Sequence, residues 1–152
     1  MKEYYMVKQE NKIKHLEMIE NIIERMAKNS FQLKAWAMTL VTVVGALGAK
    51  ESDKRFMLIA FVPIIGFWLL DAFYVQQERR YTALYRSVCE KKEEDIDFNL
   101  NTRLITLTSK EAERICFINC FKSTSVSLFY GVLAAALVLL VAILKGWIPF
   151  LK

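Results

Sequence analysis

A basic and aromatic segment follows the second apolar block of the chain and carries residue types that hold phosphates. Arginine beside aromatic rings binds phosphate groups and stacks bases, and the same combination anchors a helix at anionic lipid headgroups. Four glutamates lie among or next to these residues, which favours the headgroup or salt-bridge interpretation. The candidate ligand-binding residues are Arg79, Arg80, Arg86, Lys91, Lys92, Tyr81 and Tyr85.

Asp71 is the only carboxylate within an apolar block. An ionisable group at membrane depth is costly unless it is paired or hydrated, so such a residue is a functional candidate by default. We therefore predict that Asp71 lies at a pore entrance or gate. Two structural alternatives stay open, because the carboxylate can instead face interfacial water or pair with Lys34 of the preceding apolar block.

The sequence contains no residue set of the kind that enzymes use. Glycine-rich phosphate loops, zinc-protease motifs and nucleophile elbows are absent, and His15 is the only histidine. Cys116 and Cys120 are four residues apart and share a helix face, but a zinc ion would need two further ligands. We expect no enzyme activity, no catalytic residues, no cofactor and no metal site. All three cysteines, Cys89 included, are expected to stay reduced, and Cys116 and Cys120 are expected to act as small packing residues.

Three apolar blocks must position these residues, and the charges of the chain are concentrated between them. The blocks cover residues 31–48, 56–74 and 126–144, and each approaches the length of about 20 residues that a helix needs to cross a bilayer. The third block is uncharged throughout. The first carries Lys34 one turn from its start, from where the long side chain can reach the headgroups. We predict three transmembrane helices.

An amphipathic helix is predicted over residues 3–29, before the first block. Its apolar residues recur at steps of three and four, the spacing with which a helix packs against a neighbouring helix of the same or another subunit. A helix lying flat on the membrane is the rival interpretation, although the many acidic residues count against it. The predicted oligomer interface consists of Leu16, Ile19, Ile23 and Met26.

The second apolar block is followed by a predicted cytoplasmic layer. Its helix extends without glycine or proline to about residue 93, and alternating residues over 94–108 fit a small hairpin or an ordered loop. Thr108 and Glu111 form a capping-box signature that starts a short helix. The predicted organisation is a cytoplasmic amphipathic helix at 1–30, two spans at 31–74, a cytoplasmic extension, loop and short helix at 75–122, and a third span at 123–148.

The distribution of lysine and arginine predicts the orientation of the spans. Six precede residue 31 and nine lie within 75–122, whereas the short loop after the first block has three and the tail has two. The richer sides are cytoplasmic by the positive-inside rule. The amino terminus is therefore predicted in the cytoplasm and the carboxyl terminus outside. The same rule explains the net charge of +5, although an anionic lipid or nucleic-acid partner fits it too.

Two stretches carry a resemblance to known proteins: HLEMIENIIERMAKNSFQLKAWAMTL at 15–40 and FWLLDAFYVQQERRYTALYRSV at 67–88. They resemble small bacterial multi-span membrane proteins of anti-phage defence loci, similar to the transmembrane channel effectors of the Hailong system. The resemblance implies a homotetrameric ion channel in the inner membrane. It also implies a partner nucleotidyltransferase whose single-stranded DNA oligomers hold the channel closed until infection removes them.

The expected fold is an all-α integral membrane protein with three transmembrane helices, an N-terminal amphipathic helix and a cytoplasmic helical layer, assembled as an oligomeric bundle. Oligomerisation is expected because three helices of this length enclose no aqueous path. The expected function is a defence effector of the inner membrane that acts as an ion channel controlled by a nucleotide or oligonucleotide signal on its cytoplasmic side. The alternative is a non-conducting membrane anchor that recruits a partner protein through helix 3–29.

Overall fold

A computed structural model describes residues 2–50 and 59–144 of the 152-residue chain. Within these ranges the chain is helical and forms no β-strand, so the all-α fold class is confirmed. The α-helices are α1 (Lys2–Lys50), α2 (Phe61–Glu90), α3 (Ser109–Ile115), α4 (Phe117–Phe121) and α5 (Thr124–Leu144).

The chain forms two compact units. The polar unit comprises Met1–Asn29 and Tyr74–Cys120, and the apolar unit comprises Ser30–Phe73 and Phe121–Lys152. α1 and α2 each contribute to both units. The amphipathic segment and the first apolar block are thus parts of one 49-residue helix, because no glycine or proline interrupts the sequence before Gly45.

Two helices of the described residues are long and apolar enough to cross a membrane: α1 over Gln9–Gly48 and α5 over Thr124–Ile143. Only 17% of the α5 segment is buried within the protein, so most of its apolar surface faces outward. Exposed apolar area of this extent marks a surface that meets lipid or another protein. The described part of α2 does not reach the same combination of length and apolar composition. Residues 56–58 of the predicted second span lie outside the described residues.

Aromatic packing joins α2 to α5 within the apolar unit. The Trp68 ring of α2 stacks on Phe121 with centroids 4.5 Å apart and on Tyr130 of α5 with centroids 5.9 Å apart. The indole Nε1 of Trp68 also donates a hydrogen bond of 3.2 Å to the Phe121 carbonyl. Tyr130 is fully buried as a result. Stacked rings at these separations stabilise a contact beyond the area that they bury.

The apolar seam of α1 packs against α2 of the same chain. Ile19 is fully buried beside Leu84 and Val88 of α2, while Met26 is half-buried. The intrasubunit alternative is therefore the arrangement that the structure has, and Ile19 is not available to a second copy. The assignment of Leu16, Ile19, Ile23 and Met26 to an oligomer interface stays a prediction. The half-buried residues around the cluster are Leu16, Ile23, Tyr81, Tyr85, Ile96, Leu100 and Ile105.

An ordered loop, and not a hairpin, connects α2 to α3. Side-chain oxygens of Asp97, Asn99 and Asn101 each accept a hydrogen bond from the backbone N–H two residues later, at 3.2, 2.9 and 3.0 Å. Asp and Asn make such local turns readily, and the turns compete with strand pairing. The first of these bonds lowers the pKa of the Asp97 carboxyl below its ordinary value. The alternating apolar residues of this segment therefore do not pair as strands. Ile96, Leu100 and Ile105 instead each contact the core of the polar unit.

α2 ends at Glu90, earlier than the predicted residue 93, and a 3-10 turn follows at Glu93–Asp95. Lys12 of α1 reaches this end and donates hydrogen bonds to the carbonyls of Cys89 and Lys91 at 2.9 and 2.8 Å. The last carbonyls of a helix lack helical partners and carry partial negative charge. A lysine from another helix therefore satisfies the carboxyl end of α2.

Candidate ligand cavity and buried ion pair

A cavity of about 240 Å³ lies between α2 and α3 in the polar unit. α2 presents lining residues over two turns, and α3 supplies the opposite wall. The cavity is lined by Glu78, Arg79, Thr82, Ala83, Arg86, Glu111, Arg114 and Ile115. Three guanidinium groups and two carboxylates thus line one space. Arg79 and Arg86 share a face of α2 because they are seven residues, close to two helical turns, apart.

Hydrogen bonds to the carboxyl end of α3 hold the Arg79 side chain. Arg79 Nη1 donates to the Arg114 carbonyl at 2.6 Å and to Cys120 Sγ at 3.6 Å. Gln76 Nε2 of α2 donates to the next carbonyl, that of Ile115, at 2.9 Å. Cationic and amide donors at this position compensate the unpaired carbonyls of the last helical turn. The cavity wall formed by Arg79 is therefore fixed by the backbone of the facing helix.

Arg86 is less constrained than Arg79. Its Nη1 lies 3.8 Å from Glu111 Oε1, and its side chain is 59% exposed. An ion pair of this length and exposure contributes little to stability, because water and salt screen it. The Arg86 guanidinium can therefore exchange this partner for an anion in the cavity.

Glu111 also begins α3. The capping box predicted from Thr108 and Glu111 is confirmed, since the Thr108 hydroxyl accepts from the Glu111 N–H while the Glu111 carboxylate accepts from the Thr108 N–H. The backbone hydrogen bond lowers the pKa of the Glu111 carboxyl below its ordinary value, and the Thr108 hydroxyl and the nearby Arg86 act in the same direction. The carboxylate is thus charged at neutral pH and offsets one guanidinium of the cavity.

Two further basic cavities occur in the polar unit. One of about 510 Å³ shares Arg79 and Arg114 with the first and adds Lys110, Glu113 and Asn119. The other, of about 360 Å³, contains Arg80, Arg103 and Thr102. Arg79 and Arg114 therefore line both the first cavity and the cavity of about 510 Å³. An anion with more than one phosphate could contact these two cavities together.

The remaining predicted ligand residues lie elsewhere. Tyr81 and Tyr85 pack on the Ile19 cluster and belong to the core of the polar unit. Lys91 Nζ is paired with Asp97 Oδ1 at 3.2 Å, and Lys92 precedes the 3-10 turn as an exposed residue. The structure thus brings Arg79 and Arg86 together and places the two tyrosines on another face of α2.

Arg114 is the cavity residue that the sequence analysis misses. It lies on α3, 28 positions after Arg86, and no local spacing connects the two residues. The only available signal is the capping box, which fixes where α3 starts and so which side chains share its faces. Identifying the facing helix requires the tertiary fold.

A buried ion pair joins α1 to α2 in the apolar unit. Lys34 Nζ lies 2.6 Å from Asp71 Oδ2, with 16% of the Lys34 side chain and none of the Asp71 side chain exposed. Ser30 Oγ donates to Asp71 Oδ1 at 2.5 Å and accepts from Lys34 Nζ at 2.9 Å. Asp71 Oδ2 has no aligned hydrogen-bond partner, so its contact with Lys34 is one of charge. The alternative in which Asp71 pairs with Lys34 is the arrangement observed.

Within the described residues, no three His, Cys, Asp or Glu side chains are grouped so that they could hold a metal ion. His15 is fully buried beside the Phe98 ring, at a centroid distance of 5.4 Å. Cys120 is buried, and that burial raises the pKa of its thiol. Cys89 and Cys116 are exposed, Cys116 at the break between α3 and α4. Of the two cysteines predicted to pack, Cys120 is buried and Cys116 is exposed.

Comparisons with known proteins place the chain in no family. No protein-family model, no curated protein and no solved structure matches it. Over residues 2–50 and 59–144, the class that the fold defines is an all-helical protein with two helices long and apolar enough to cross a membrane.

Proposed function

We propose that the protein is an oligomeric inner-membrane effector that controls ion permeability in response to an anionic ligand bound in the polar unit. The observation that carries the proposal is the cavity between α2 and α3, in which Arg79, Arg86 and Arg114 face one space. Planar guanidinium groups hold phosphates through paired, charge-assisted hydrogen bonds. The ligand class that fits is a nucleotide or short oligonucleotide, and the resemblance to defence effectors points in the same direction.

The membrane part of the proposal uses three spans. α1 and α5 supply two, and the apolar block 56–74 supplies the third. The amino terminus and the segment 75–122 lie in the cytoplasm, where the ligand is made by a partner nucleotidyltransferase, and the carboxyl terminus lies outside. A homo-oligomer, with a tetramer favoured by the resemblance, provides the aqueous path that one chain of three helices lacks.

Asp71 is the gate residue in this proposal. In the arrangement described, its carboxylate is neutralised by Lys34 and shielded from solvent. A path through the apolar unit needs polar groups that water or ions can reach, and intramembrane carboxylates commonly supply them. Separation of Lys34 from Asp71 would expose such a group, so the closed pair corresponds to a non-conducting state.

The decisive test is ion flux through the purified full chain in liposomes, with a short single-stranded DNA oligomer titrated on the side of the polar unit. Flux that the oligomer suppresses supports a channel closed by its ligand. Flux that the oligomer does not alter supports a channel with another signal. Absence of flux from a folded and inserted protein, with and without oligomer, contradicts the channel.

A matched pair of variants tests whether the arginine cavity binds the ligand. Arg86→Gln removes one cavity charge and should weaken oligomer binding about tenfold. Glu111→Gln keeps a side chain that completes the capping box and removes a negative charge beside Arg86. It should strengthen binding about twofold to fivefold. Equal affinities for both variants and the original chain, measured by fluorescence anisotropy at one salt concentration, would remove the cavity from the proposal.

The anchor alternative assigns helix 3–29 to partner recruitment through its apolar seam. That seam packs on Leu84 and Val88 of the same chain, with Ile19 fully buried. Recruitment through Ile19 would require α1 to separate from α2 first. This intrachain packing disfavours an anchor that recruits its partner through Ile19.

A further inference from the structure

A second basic cavity of the polar unit, the Lys110 cavity, is lined by residues of α2, α3 and α4. Its volume of about 510 Å³ is within the range of roughly 300–1,000 Å³ that small-molecule sites occupy. Three cations and one carboxylate line it, whereas the cavity that contains Arg86 has three cations and two carboxylates. The Lys110 cavity is therefore the more positive of the two. Its lining residues are Arg79, Lys110, Glu113, Arg114 and Asn119.

Two of the three cations are available to an anion. Lys110 and Arg114 are exposed, and neither makes an ion pair with any described residue. Arg79 is held more firmly, because its Nη1 donates to the Arg114 carbonyl at 2.6 Å and to Cys120 Sγ at 3.6 Å. Ammonium and guanidinium groups bind phosphate oxygens through charge-assisted hydrogen bonds. The cavity thus suits a phosphate group.

The cavity residues come just before the apolar helix α5 in the chain. The Arg79 guanidinium contacts Cys120 Sγ at 3.6 Å, and α5 begins at Thr124, four residues after Cys120. Four residues cover at most about 14 Å, and about 6 Å when they are helical. With α5 crossing the bilayer as proposed, its first residues lie at the edge of the hydrocarbon layer. The Lys110 cavity is then at or near the level of the lipid headgroups.

Apolar side chains next to the cavity fit this level. Ile118 directly precedes the lining residue Asn119, and it is 59% exposed. Two residues after Asn119, the Phe121 ring stacks on Trp68 with centroids 4.5 Å apart, and tryptophan is enriched at membrane–water interfaces. A soluble anion needs no apolar surface beside its phosphate. Exposed apolar residues beside basic ones are instead typical of segments that lie in the lipid interface.

We infer that the Lys110 cavity binds the phosphate headgroup of an anionic phospholipid. Lys110 and Arg114 bind the phosphate oxygens, Arg79 supplies a fixed positive charge, and Ile118 faces the acyl chains. Asn119 fixes the rim, because its Nδ2 donates to the Glu113 carbonyl at 2.8 Å. The inference goes beyond the proposed function, of which it uses the span α5 but neither the channel nor the oligonucleotide.

The test titrates phosphatidylglycerol into the full chain in a neutral detergent and measures bound lipid by native mass spectrometry. Phosphatidylglycerol should bind about tenfold more tightly than phosphatidylcholine, because choline neutralises the headgroup charge. Lys110→Gln removes one cation from the cavity and should weaken phosphatidylglycerol binding about tenfold. Equal affinities of the original chain for the two lipids overturn the inference.

Lys122→Gln is the matched control for general attraction of lipid to a basic surface. Lys122 is an exposed lysine three residues after Asn119 and does not line the cavity. Its substitution should change phosphatidylglycerol affinity by less than about twofold at physiological salt. Equal losses from Lys110→Gln and Lys122→Gln contradict a defined site. Lys110→Gln should fold normally, because a positive charge in the first turn does not stabilise a helix.

Two soluble ligands distinguish lipid from other sources of phosphate. Glycerophosphoglycerol, the same headgroup without acyl chains, should bind about a hundredfold more weakly than the lipid. Equal affinity of this compound and the lipid assigns the cavity to a soluble anion and overturns the inference. A single-stranded DNA oligomer whose binding falls tenfold with Lys110→Gln, about as much as expected for the lipid, assigns the cavity to nucleic acid and overturns it too.

Arg86→Gln separates this inference from the proposed function. Arg86 lines the cavity between α2 and α3 but not the Lys110 cavity, so its substitution should leave phosphatidylglycerol binding unchanged. Lipid binding that depends on Lys110, in a protein that binds no oligomer and passes no ions, keeps the lipid site and removes the proposed function. Oligomer binding that depends on Arg86, in a protein that does not prefer phosphatidylglycerol, keeps the proposed function and removes the lipid site.

Discussion

The two units hold their opposite charges in different ways. In the apolar unit, Lys34 and Asp71 approach to 2.6 Å with the carboxylate wholly buried. In the polar unit, Arg86 and Glu111 are 3.8 Å apart, with 59% of the Arg86 side chain and 29% of the Glu111 side chain exposed. A buried charge that loses its partner is strongly unfavourable, whereas an exposed pair adds almost nothing to stability. The same chemistry therefore fixes structure in one unit and leaves a cation available for binding in the other.

The largest effect should follow from breaking the buried pair on one side only. Asp71→Leu leaves the Lys34 ammonium without its counter-ion and should lower the free energy of unfolding by about 3–5 kcal/mol. Replacing both residues, as in Lys34→Met with Asp71→Leu, should restore stability to within about 1 kcal/mol of the original, because two apolar side chains pack where two charges did. Chemical unfolding in detergent measures both values. If Asp71→Leu is as stable as the original chain, the ion pair does not contribute to the packing of α1 against α2.

The polar unit should depend on its apolar cluster more than on its charges. Ile19→Ala removes a fully buried side chain beside Leu84 and Val88 and should lower the free energy of unfolding by about 2–4 kcal/mol. Ile13→Ala, at a position of α1 that is 51% exposed, is the matched control and should stay within about 0.5 kcal/mol. Unfolding is measured by the loss of helicity as denaturant is added. Equal losses of stability from the two substitutions would contradict the intrachain packing of the seam.

A smaller effect is expected at the start of α3. Thr108→Ala removes the capping hydroxyl and should destabilise this helix by about 1 kcal/mol. Thr106→Ala, in the same loop and exposed, serves as the control. Hydrogen exchange of the α3 amides should rise in the first variant alone. Unchanged exchange would mean that Arg79 and Gln76, at the other end of the helix, are sufficient to hold α3.

The smallest effect should come from acid. The pKa values of Asp97 and Glu111 are lowered in the folded chain from ordinary values of 3.8 and 4.5. A lowered pKa adds stability that is complete above the unfolded-state value and is lost as the pH falls through the folded-state value. The loop and the start of α3 should therefore be unaffected between pH 8 and pH 6 and loosen only below about pH 4. Loosening near pH 6, detected by hydrogen exchange or proteolysis, would identify another group as responsible.

Elements controlled by local sequence could be predicted. The uncharged block 126–144 corresponds to α5 (Thr124–Leu144), and the capping box defines the start of α3. The hairpin alternative fails because Asp97 and the two asparagines after it bind their own backbone, a preference that the apolar alternation obscured. The partner of the α1 seam is beyond reach from sequence alone, because the same spacing serves a second subunit equally well.

The site was predictable only where its residues share one helix. Arg79 and Arg86 meet at one cavity because their spacing fits two turns of α2. Tyr81 and Tyr85 pack in the same cluster as Leu84 and Val88. The three-and-four spacing of these residues is that of a buried helix face, and it outweighs the arginines beside the two tyrosines. The Lys34–Asp71 contact was one of the alternatives that the sequence left open, and the structure has it. Arg114 depends on which helix faces α2, a fact of tertiary structure.

The buried pair has a consequence for how this sequence can evolve. Lys34 and Asp71 are 37 positions apart in the chain, yet either one changed alone leaves a charge without its counter-ion, whereas both changed together are tolerated. Each single substitution therefore lowers stability, whereas the double substitution restores it, and the two positions are expected to change together. Relatives of this protein should retain both residues or replace both, and a pattern of independent replacement at the two positions would indicate that they do not meet.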